Sequence, residues 1–145
     1  MGIENEESLI GFKGRVNVIM ADSDTTRLRI GVMISNRWML EGIKHGFCSL
    51  DFTVRTVAVL LDQFPIPQPC KKMCEIREFR MSQDKLCKLI EGRFETHKWN
   101  SVIIDCIQIV TLGKEMLDRL AEIAKKYDKP IVCLSKIPSP SKHQR

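Results

Sequence analysis

Short apolar runs alternate with amphipathic stretches along this chain. Residues 16–21 (VNVIMA) form an apolar run closed by Asp22, Ser23, Asp24, Thr25 and Thr26. The run predicts a strand, and Asp and Thr cap helix starts well, so a helix should follow at once. Leu28, Ile30, Val32, Met33 and Ile34 give that helix a loose apolar face. Residues 52–61 read as a strand running into a helix, ended by Pro65, Pro67 and Pro69, which remove amide donors and fix φ. Residues 75–79 (EIREF) alternate as a half-buried or edge strand does. Leu86, Leu89, Ile90 and Phe94 then recur at helical spacing over 83–94.

The last third carries the clearest pattern. Residues 101–105 (SVIID) are a β-branched strand ending on Asp105. Residues 114–126 place Met116, Leu117, Leu120, Ile123 and Ala124 on one stripe, and Asp128-Lys129-Pro130 stops that helix. Residues 131–134 (IVCL) form a buried-type strand ending at Ser135. Strand, helix and strand with short links imply parallel pairing and a right-handed crossover. The expected class is therefore α/β, a doubly wound parallel sheet. Ligands of such sheets gather at the carboxyl ends of the strands, where Asp22, Asp105 and Ser135 would converge. An Asp after a strand serves equally as a helix cap or turn residue.

Composition narrows the classes. The chain has 145 residues, 43% hydrophobic and 28% charged, enough for one domain with one core. It contains no run of about 18 apolar residues, so no membrane span is expected. The opening MGIENEESLIG is acidic and does not read as a secretory signal. The net charge of +5 owes something to the tail IPSPSKHQR. Aromatics do not interleave with the basic residues, so direct DNA or RNA binding is not expected. Cys106 and Cys133 fall in apolar runs, and Cys70 and Cys74 lack a second Cys/His pair at zinc-finger spacing. A metal site built on cysteine is not expected, and a reducing nucleus or cytoplasm fits the thiols.

The stretches VNVIMADSDTTRLRI and WNSVIIDCIQIVTLGKEMLDRLAEIAKKYDKPIVCLS resemble the receiver domains of plant two-component response regulators. The first resembles their opening strand and acidic cluster. The second resembles their third strand, third helix and fourth strand, and EIREF with 83–94 suits the second strand and helix. The resemblance implies a flavodoxin-like, receiver-like sheet and a role in phosphorelay signalling, with cytokinin-type hormone response in plants as its setting. It makes Asp105 the candidate phospho-acceptor, Ser135 a phosphoryl contact and Gly113 the glycine of the loop after the acceptor. Asp22, Ser23, Asp105 and the backbone carbonyl of Ile107 become the Mg2+ ligands, and a His-containing phosphotransfer protein becomes the partner. The chemistry is attack of a carboxylate on phosphohistidine, with a hard cation cancelling the crowded negative oxygens.

Several residues depart from that pattern. Ser23 stands where the family has a second acid, and the loop after Asp105 reads Gln108-Ile-Val-Thr-Leu-Gly113. Lys136 replaces a small residue and either crowds the phosphoryl pocket or stands in for the family's lysine of strand five. Ten residues follow Ser135, too few for the family's last strand and helices. The expectation is thus a receiver lacking its last strand and helices: a tail at 1–14, a domain at 15–135 with an insertion around 37–72, and a basic tail at 136–145. Its function would be that of a pseudo-receiver, not an enzyme, docking partners with weak or no phospho-acceptance; a phospho-accepting receiver is the alternative. With its last strand missing, the apolar strand IVCL would be exposed and the fold marginal. A small nucleotide-dependent enzyme is the other class. Residues 129–136 (KPIVCLSK) faintly resemble a strand before a base-recognition motif, but no G-x4-G-K-[ST] phosphate cradle occurs.

Overall fold

A computed structural model describes residues 13–49, 54–63, 68–78, 82–105 and 109–136. Within them the chain runs β1 (Val16–Ala21), α1 (Asp24–Leu40), β2 (His45–Ser49), α2 (Val54–Asp62), α3 (Gln68–Lys71), β3 (Cys74–Glu78), α4 (Gln83–Glu95), β4 (Ser101–Asp105), α5 (Ile109–Tyr127) and β5 (Ile131–Lys136). All five strands pair in parallel, in the order β1-β5-β4-β2-β3. The expected class, an α/β parallel sheet wound on both faces, is the one observed.

Local chemistry sets the element ends. Ser23 is extended (φ −141, ψ 158) and its hydroxyl accepts from the Thr26 amide at 3.1 Å, opening α1. Ser82 caps α4 in the same way through Lys85, at 3.2 Å. Gly42 takes the left-handed φ of 74° that ends α1, and the amides of Gly42 and Ile43 return to Met39 and Trp38.

Register divides the side chains between two layers. Phe47, Ile103, Val132 and Leu134 point to one face, where Leu28, Val32, Trp38 and Met39 of α1 and Val57 and Leu61 of α2 cover them. Cys48, Val102, Ile104, Ile131 and Cys133 point to the other, under Leu86, Ile90 and Phe94 of α4 and Met116, Leu120 and Ile123 of α5. Trp99 lies over Gly46, where a Cβ would meet its ring atom Cζ2 at 2.5 Å. Only glycine lets the indole lie so close to the strand.

Three expectations need correction. Residues 37–72 are no appendage: they carry β2, a wholly buried strand seated between β4 and β3. The receiver order would put the first strand inside the sheet. Here β1 is at the edge, and SVIID has HGFCS rather than VNVIMA on its second side. The strand IVCL is not left bare, because β5 lies between β1 and β4 with Ile131, Val132, Cys133 and Leu134 fully buried. The tails at 1–12 and 137–145 lie outside the described residues.

Candidate functional site at the carboxyl end of β4

Asp105 ends β4 with its side chain fully buried. Its register partners are Ser49 and Leu134, so its carboxylate faces the α1 layer. Arg27, in the first turns of α1 and equally buried, donates from Nε to Asp105 Oδ1 at 2.5 Å. Nη1 of the same guanidinium meets Asp24 Oδ1 at 2.7 Å, and Ser49 Oγ donates to Asp105 Oδ2 at 3.4 Å. Lys136 Nζ lies 4.0 Å from Asp24 Oδ1 at the solvent side. Hydrogen bonding to Arg27 is the largest influence on the Asp24 carboxyl and holds it below its ordinary pKa. The charges thus alternate from solvent inward: Lys136, Asp24, Arg27, Asp105.

The residues expected to converge do not share this rim. Asp22 is an exposed residue of the two-residue link between β1 and α1. Because β5 separates β1 from β4, Asp22 follows a strand about 10 Å from the Asp105 strand at the usual strand spacing. Ser23 is occupied as the α1 cap and also donates to Thr26 Oγ1 at 2.9 Å. Ser135 is buried, but it follows Leu134 in β5 and so points to the α5 face, away from Asp105. Ile107 lies outside the described residues, and Gly113 falls within α5 rather than in a loop.

Mg2+ does not fit this arrangement. Asp105 already has a guanidinium against it where the cation would sit, Asp22 is remote, and the described residues hold no group of three or more His, Cys, Asp or Glu able to ligate a metal. Sequence reasoning missed Arg27. The signal was its place on one stripe with Gly31, Ile34, Ser35 and Trp38, all buried, since an arginine on a buried stripe requires a partner.

No family model matches the chain, and no curated protein matches it. Among solved structures it is similar to a KaiC-like protein from the hyperthermophilic archaeon Pyrococcus horikoshii, with a TM-score of 0.70 at 16% identity. The match covers 87% of this chain and 62% of that one. At this identity the likeness establishes the fold alone. The fold is thus shared with a KaiC-like protein, and the strand order departs from that of a receiver, so the expected phosphorelay receiver is corrected. The expected phospho-acceptor role of Asp105, its Mg2+ and the phosphotransfer partner rested on that receiver reading.

Proposed function

We propose that the chain is a KaiC-like core that works by binding rather than by phosphoryl chemistry, its strand-end site closed by its own Arg27. The observation that carries this is the buried Arg27–Asp105 pair behind a two-residue link from β1 to α1. A phosphate cradle requires a glycine-rich loop whose backbone amides face the ligand at a helix start. Between Ala21 and Asp24 there are only Asp22 and Ser23; the Thr26 amide is taken by Ser23, and Asp24 sets negative charge where phosphate would approach. Arg27 supplies internally the positive charge that a lysine or metal would bring.

A reducing nucleus or cytoplasm is proposed as the setting, supported by the free thiols of Cys48, Cys70, Cys74, Cys87 and Cys133. Among the described residues no helix is long and apolar enough to cross a membrane.

The test is calorimetric titration of the full chain with ATP and Mg2+, paired with a phosphate-release assay. The expected result is no saturable heat and no turnover. Saturable binding with NMR shifts confined to residues 22–27 and the end of β4 would overturn the proposal. Such binding accompanied by phosphate release would support the second reading, a nucleotide-dependent enzyme, which the likeness to the KaiC-like protein favours.

A further inference from the structure

We infer that the cleft between α1 and α2 binds a small amphipathic organic anion. Its hydrocarbon part would lie on Leu28, Val32, Met33 and Leu60, with its anionic head on Arg29. The cleft measures about 650 Å³, within the range of small-molecule sites. It adjoins the ion-pair chain through Asp24 but contains neither Arg27 nor Asp105, and the inference stands whether or not the Asp105 site takes a nucleotide.

Charge decides the ligand class. Asp24 is the acid at the mouth of the cleft, and it is already engaged by Arg27 and Lys136. Arg29, at the same mouth, makes no hydrogen bond or ion pair among the described residues. The mouth therefore offers one uncommitted positive charge and no uncommitted negative one. Gln63 and Thr25 add neutral hydrogen-bonding groups. Below them the walls are aliphatic, and Met33, 55% exposed, brings a flexible thioether that adapts to ligands of differing shape. An apolar body matches the walls, and an anionic end matches Arg29; a cation would meet Arg29 unfavourably.

The experiment is an NMR titration of the full-length chain with decanoate, decanol and decylamine, each below its micelle concentration. Decanoate is expected to give saturable shifts at residues 28–33 and at Leu60, with decylamine at least tenfold weaker. Arg29→Gln, a surface change that leaves the core intact, should bring decanoate to the level of decanol. Four results would overturn the inference: equal affinity for anion and amine, shifts mapping elsewhere, no saturable shift, or the same residues responding to protein concentration alone. The last would mean that a second copy of the chain fills the cleft.

Discussion

Arg27 and Asp105 stand 78 positions apart in the chain and meet with both side chains fully withdrawn from solvent. The pair ties the first turns of α1 to the end of β4, on the far side of β5. A buried pair of this kind stabilises little in total, because desolvating both charges offsets their attraction, yet neither partner tolerates loss of the other.

Asp105→Asn or Arg27→Met alone should therefore cost about 3–5 kcal/mol, read as a lower urea midpoint with an unchanged slope. The double variant Arg27→Met/Asp105→Leu should recover most of that loss, since it leaves no orphaned charge. If the double variant is as unstable as the sum of the singles, the pair is not the coupled unit described above.

Stability should fall on mild acidification through His45. The ring is buried: Nδ1 donates to the Ile43 carbonyl at 2.9 Å, so Nε2 accepts from Ser35 Oγ at 2.6 Å. Burial pushes its pKa from 6.5 down to about 4. As pH drops below 6.5 the unfolded chain takes up a proton that the folded chain refuses until about pH 4. Stability is thus complete above pH 6.5 and declines between 6.5 and 4, by up to about 3 kcal/mol. Urea titrations across this window should show the slope in the parent chain and lose it in His45→Gln.

Gly46→Ala should destabilise by about 1–3 kcal/mol or more, because the added methyl overlaps the Trp99 indole. The strain belongs to the pair, so in a Trp99→Leu background the same substitution should cost much less. Thermal midpoints of the four proteins measure the coupling directly.

Asn36 on α1 is 8% exposed, and among the described residues neither its Oδ1 nor its Nδ2 has a hydrogen-bond partner. A buried amide in that state is a standing cost. Asn36→Leu should leave stability unchanged or raise it by about 1 kcal/mol. A clear drop in the urea midpoint would show that the amide has a role to fill.

Much of the sheet was legible because VNVIMA, SVIID and IVCL carry β-branched runs, the last two wholly buried and the first at the sheet edge with Val18 and Met20 exposed. β2 escaped detection for the opposite reason. His45, Gly46, Cys48 and Ser49 have little strand preference, and the strand exists because Trp99 covers Gly46 and Ser35 holds His45. The start of α5 was hidden too, since 109–113 matched a receiver loop in alignment while the backbone continues as helix from Ile109. Strand order was beyond reach. Alternation of strands and helices specifies parallel pairing, but not which strand borders which, and the candidate site depended on that choice. The strand SVIID does end on Asp105, but the neighbour of that carboxylate was sought on the wrong strand. Sequence pointed to Asp22 after β1; the fold supplies Arg27 from within α1.

Among the described residues β1 bonds to β5 alone, the first strand in the chain to the last. During synthesis β1 would leave the ribosome with no neighbour to join, and would wait until more than a hundred further residues had been made. A nascent chain of this design leaves the edge of an apolar strand unpaired throughout that interval, so its yield in a cell should depend on what shields VNVIMA until β5 emerges.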